Sequence, residues 1–148
     1  MTDFDTIAAS FERYRKALTE ANTANKTVVF DALSAAGITS VTAEFDGEGD
    51  SGQIESVIAC SGDAHVPLPA TPLTLHHASW QNDRVTRVTS PLAEAIEALC
   101  YGYLEQEHGG WENNDGAFGS FEFDVAQRTI RLEFNGRFTD VATHNHDF

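Results

Sequence analysis

The sequence predicts an α+β fold in which helices pack on one face of an antiparallel sheet of about four to five strands, in the order α-α-β-β-α-β-β. Three patterns carry that prediction. Apolar residues recur at helical spacing near the N-terminus and again after Pro91. Residues 38–60 and 121–134 alternate apolar with polar side chains, the period of half-buried strands. Gly- and Asp-rich runs separate these blocks. At 148 residues the chain fits one domain, and 41 % apolar content is enough to build a core.

The first helix is expected from about Asp3 to Asn22. Phe4, Ile7, Phe11, Tyr14 and Leu18 form its stripe, and Thr2 and Asp5 have the spacing of a capping box. Arg13, Arg15 and Lys16 then fall in its later part, where cations suit the helix dipole. The polar run Asn22-Thr23-Ala24-Asn25 reads as a break. A shorter helix through Val28, Val29, Ala32, Leu33 and Ala36 stops at Gly37. Together these form a helical N-terminal part, residues 1–37.

Val41, Ala43 and Phe45 alternate with Thr42 and Glu44 as a first strand, and residues 54–60 form a second after an interrupting loop at 46–53. Prolines at 67, 69 and 72 make residues 61–89 a long loop, with short edge strands conceivable at 73–75 and 84–89. Ser90 as N-cap and Pro91 at the first helical position open a third helix, whose stripe is Leu92, Ile96, Leu99, Cys100, Tyr103 and Leu104. Gly109-Gly110 ends it. Phe121, Phe123 and Val125, then Ile130, Leu132 and Phe134, alternate as a hairpin turning at residues 126–128, and Asn135-Gly136 signals a further turn. Residues 142–148 are a polar tail. Following the chain reversals gives a sheet order 2-1-3-4, which makes the loops around Asp46 and Trp111 neighbours.

Charge narrows the function. The chain holds 23 acidic and nine basic residues, a net charge of −14, with no Lys or Arg between Lys26 and Arg84 or between Arg87 and Arg128. Such a chain repels a phosphate backbone and an anionic membrane, so direct nucleic-acid binding is not expected. It attracts cations or a basic protein surface. No run of about 18 apolar residues suits a membrane span. The acidic N-terminus has no apolar leader segment, so the expected address is cytoplasmic. Cys60 and Cys100 read as buried thiols.

Two loops stand out. Asp46-Gly-Glu48-Gly-Asp50 sets carboxylates at alternate positions between glycines, as an oxygen-ligated divalent cation requires, though the EF-hand spacing would put its closing Glu at Val57. The plainer reading is an acidic hairpin turn. His108-Gly-Gly-Trp111-Glu112-Asn113-Asn114-Asp115-Gly116 combines an aromatic with amides and carboxylates, a composition suited to recognition. The plainer reading is that Trp111 folds back as a core lid. The expected interaction residues are Trp111, Glu112, Asn113, Asn114 and Gln53. The expected metal ligands are Asp46, Glu48, Asp50 and Asp115, with Asp140 nearby and His144 and His146 as a tail pair.

The Gly-Asp-Ser-Gly-Gln-Ile run at 49–54, the Gly-Gly-Trp-Glu-Asn-Asn-Asp-Gly-Ala-Phe-Gly run at 109–119 and Leu-Glu-Phe-Asn-Gly-Arg-Phe-Thr-Asp at 132–140 together resemble an uncharacterised bacterial domain family of unknown function, met on plasmids and other mobile elements. The resemblance covers the chain from about Ile38 onward and implies a mobile-element accessory setting. The leading expectation is a non-enzymatic acidic module that engages a basic protein partner, as a charge mimic. The alternative is a divalent-metal (Ca²⁺, Mg²⁺ or Mn²⁺) domain, structural or hydrolytic. A third is a complex subunit docking through residues 61–89.

Overall fold

In the computed structural model one continuous helix, α1 (Asp3–Ala35), occupies the N-terminal region where two were expected. The structure describes residues 3–49, 51–79, 82–113, 115–138 and 143–147, and expectations that rest on Thr2, Asp50, Asn114 and Asp140 lie outside them. The helix passes straight through Asn22 and Asn25 because both amides are buried and bonded across to other elements. Asn22 Nδ2 donates to Gln106 Oε1 at 2.9 Å. Asn25 clasps the backbone of His76: Nδ2 donates to its carbonyl at 2.8 Å, and Oδ1 accepts from its N–H at 2.7 Å. Amides engaged this way no longer compete for their own helix backbone, which is why polar residues usually weaken a helix interior.

Arg13, Arg15 and Lys16 therefore lie in the first half of α1, far from its C-terminal dipole, and the last turn holds no basic residue. The helix stops at Gly37 as expected. The Ile38 N–H reaches the Leu33 carbonyl at 3.1 Å and the Gly37 N–H the Ser34 carbonyl at 3.1 Å, closing the last turn. The N-terminal stripe is only partly used: Leu18 is buried, while Ile7 and Phe11 remain 59 % and 46 % exposed.

Five antiparallel strands form the main sheet: β1 (Ser40–Glu48), β2 (Ser51–Ser61), β3 (Ala64–Val66), β6 (Ala117–Asp124) and β7 (Thr129–Gly136), in the order β3-β2-β1-β6-β7. That contains the expected 2-1-3-4 order, with β3 added at one edge. The interrupting loop at 46–53 is instead strand on both sides of a tight turn, with Glu48 paired to Ser51. Asn135 and Gly136 make no turn either, since they pair with Phe118 and Ala117 inside the β6–β7 ladder.

The long loop at 61–89 is also corrected. β4 (Pro72–Ser79) and β5 (Asn82–Pro91) form a separate two-stranded sheet, in which Leu73, Leu75 and Ala78 are buried. Pro72 pairs with Pro91 at the ladder's open end, a place where a missing N–H is tolerated. The hairpin turns Leu73, Leu75 and Ala78 to the protein's own core, while Val85 and Val88 of β5 stay exposed. Ser90 consequently belongs to β5, and α2 (Leu92–His108) starts after Pro91 with no side-chain cap.

The core lies between the sheet and the helices. Phe30 and Leu33 of α1 and Ile96, Leu99 and Leu104 of α2 meet Val41, Phe45, Phe121 and Phe123 from the sheet. The architecture is mixed α+β. None of its described helices is long and apolar enough to cross a membrane.

Asn25→Ala removes both partners of the His76 backbone and is expected to lower stability by about 1–3 kcal/mol. Urea denaturation checks this: the midpoint falls while the slope stays fixed.

Candidate functional site

Strand alternation sends every second residue away from the helices, and in this protein carboxylates recur there among Ser, Thr and one arginine, Arg131. On β1, Glu44, Asp46 and Glu48 share the outward face and Val41, Ala43 and Phe45 the buried one. Residues two apart on a strand stand about 7 Å apart, so these side chains line a face and do not curl around one point. Register extends the pattern sideways. Glu44 lies between Ser56 of β2 and Ser120 of β6, and Ser120 in turn pairs with Glu133 of β7. Thr42, Glu122 and Arg131 make the next row.

A shallow depression of about 360 Å³ sits on this open face, lined by Glu44, Asp46, Glu55, Phe118, Ser120 and Glu133. Phe118 and Ile58 are each 43 % exposed, leaving two apolar spots among the carboxylates. Exposed apolar side chains ringed by charge are the ordinary composition of a protein-binding patch.

Arg137, which sequence reasoning did not single out, anchors one corner. Its Nη1 meets Asp46 Oδ1 at 2.9 Å, the Gly47 carbonyl at 3.1 Å and the Ala117 carbonyl at 3.3 Å. The guanidinium also lies 4.7 Å from the centre of the Phe118 ring. The bond to Asp46, with the nearby Glu48 charge adding to it, pushes the guanidinium pKa further up. The signal for this residue was long-range: it ties β7's end back to β1.

The expected loop neighbours do meet, since Gly47 pairs with Ala117. Trp111 takes the lid reading. Its ring stands edge-on to Phe45 with centroids 5.4 Å apart, and it lies across Gly47 and Gly52. A Cβ on Gly47 would stand 2.6 Å from the indole, and one on Gly52 would run into it as well. Glu112 is half-buried beside Gly52. Asn113 builds the turn: its N–H donates to the Gly110 carbonyl at 3.0 Å, and its carbonyl accepts from Gly116 at 3.0 Å. Gln53 Nε2 donates to Glu55 Oε1 at 3.2 Å on the open face.

Asp46 is held by Arg137, Glu48 and Asp115 are exposed, and Asp50 lies outside the described residues. His144 and His146 sit exposed in a stretch without regular structure. Among the described residues no group of three or more His, Cys, Asp and Glu comes together in a way that could hold an ion. Cys100 is fully buried, and burial, then the Glu97 charge, pushes its thiol well up, which removes it as a thiolate nucleophile. Cys60 is half-buried on β2.

A family model of unknown function matches residues 21–148. The chain belongs to DUF6878. The DUF6878 segment takes in both sheets, α2 and the C-terminal two-fifths or so of α1, and begins after the exposed Ile7 and Phe11. No curated protein and no solved structure matches the chain.

Gly52→Ala is expected to displace Trp111 from its seat. In a Trp80→Phe background, the remaining indole emission then shifts to longer wavelength and its near-ultraviolet circular dichroism weakens. An unchanged spectrum contradicts the packing described.

Proposed function

We propose that this DUF6878 protein is a non-enzymatic binding module that engages a basic protein partner through the open face of its main sheet. One observation carries the reading: the uncovered face presents Glu44, Glu55, Glu122 and Glu133 around exposed Phe118 and Ile58. Carboxylates at regular strand spacing resemble an array of phosphates to a partner whose binding channel is lined with Lys and Arg. The apolar spots add contact area that a nucleic acid backbone lacks. Complementary charge of this kind speeds encounter and selects the partner.

The net charge of −14 extends the attraction beyond the face itself. The resemblance to a family met on plasmids and mobile elements supports an accessory role in that setting. There, an acidic protein of this kind occupies the nucleic-acid channel of a host defence or processing protein. Cytoplasmic residence goes with such a role.

The test compares two variants of equal charge. Glu44→Gln/Glu122→Gln/Glu133→Gln neutralises the face, while Glu12→Gln/Glu20→Gln/Glu94→Gln removes the same charge from the helices. A basic protein captured from host lysate by the wild-type chain is expected to be lost with the face variant and kept with the helix variant. Its affinity also falls steeply with added salt. Equal capture by both variants contradicts the reading, as does capture that only follows net charge.

A further inference from the structure

The helical side of the sheet holds a second recess whose chemistry differs from that of the open face. A cleft of about 780 Å³ is framed by α1, α2, the β4–β5 hairpin and the start of β2. That volume is typical of small-molecule sites, which span roughly 300–1,000 Å³. Its hairpin wall, with His76 and His77, is fixed in place by the two Asn25 bonds to the His76 backbone.

Among small, apolar and amide residues, the remaining walls carry three aromatic rings and two carboxylates, and a chain of contacts joins them. Trp111 and Glu112 both lie against Gly52. Two residues along β2, the Ile54 N–H donates to Tyr101 Oη at 2.7 Å, which seats that ring on the strand. Glu105 follows Tyr101 by one turn of α2 and so shares its face. Across the cleft stands Tyr14 of α1, close enough to Glu105 to feel its charge; burial, then that charge, raises the phenol pKa and keeps the ring neutral. No Lys or Arg is among the described residues lining the cleft.

Aromatic faces carry negative electrostatic potential and attract cations, most strongly where water is partly excluded. Carboxylates beside them add counter-charge, and the described lining residues set no Lys or Arg against it. We infer that this cleft binds an organic cation, an alkylammonium or guanidinium group held among Tyr14, Tyr101 and Trp111 with Glu105 and Glu112 as counter-charges. The site is separate from the open face and does not depend on a protein docking there. The cation arrives either as a free small amine or as the side chain of a Lys or Arg in a polypeptide.

Calorimetric titration of the full chain tests this with three probes: choline, N-acetyl-lysine methylamide, and dimethylbutanol as choline's uncharged isostere. At least one cation is expected to bind, with the isostere about 10-fold or more weaker. Tighter choline binding marks a free amine as the source, and tighter lysine binding marks a side chain. Glu105→Gln, whose fold is checked by its melting curve, is expected to weaken the bound cation several-fold, and Glu94→Gln is expected to leave it unchanged. No heat with either cation at millimolar concentration overturns the inference. So does equal binding of the isostere, or a Glu105→Gln variant that binds as well as wild type.

Discussion

Two buried amides fix how the layers of this protein meet. An amide without partners in a core costs several times what one hydrogen bond contributes, so Asn22 and Asn25 restrict α1 to the rotation and height at which both are satisfied. Asn22 sets α1 against α2 through Gln106, and Gly102 lets the helices approach there, since a Cβ would collide with Asn22 Oδ1. Asn25 sets α1 against the hairpin through the His76 backbone. With those two joints made, Phe30 and Leu33 point into the sheet and the cleft between α1, α2 and the hairpin has fixed walls. An all-apolar helix could slide or rotate between near-equivalent packings; one with two bonded amides has a single register.

The sheet then divides the molecule into two chemistries. Its buried face supplies the aromatic core, in which Phe45 contacts Trp111, Phe121 and Phe134 with ring centroids 5.4, 5.6 and 6.0 Å apart. Its open face collects carboxylates, with Arg131 beside Glu122 in the same row. Arg137 holds one corner by binding Asp46 and two carbonyls at once. Farther from Arg137, Glu44, Glu55 and Glu133 have no cation among the residues that line their depression. A carboxylate-bearing face on one side and a hydrophobic core on the other is the arrangement the proposed basic partner would use.

How much of this was legible follows from the range of each interaction. The alternation of β1, β6 and β7 and the stop at Gly37 are local, and the strand order followed from the chain reversals between those strands. Asn22 and Asn25 misled because a polar pair in a helix looks the same whether it ends the helix or reaches Gln106 and His76, far along the chain. The β4–β5 hairpin was hidden by prolines that act as breakers inside a strand, but Pro67 and Pro69 precede it and Pro72 sits at its paired end. Residues 46–53 looked like a loop because of their glycines, although Glu44, Asp46 and Glu48 follow the same period as the strand before them. Arg137 and the aromatic cleft come from residues distant in sequence, and no single stretch announces either.

The most direct measurement is amide and side-chain chemical-shift mapping of the isotope-labelled protein during titration with an arginine-rich peptide. The first and largest shifts are expected on the outward residues of β1, β6 and β7, around Glu44, Ser120 and Glu133, and on Phe118, and they are expected to vanish when salt is raised. Shifts confined to the helices, or scattered evenly over every exposed carboxylate, would contradict the proposed binding face.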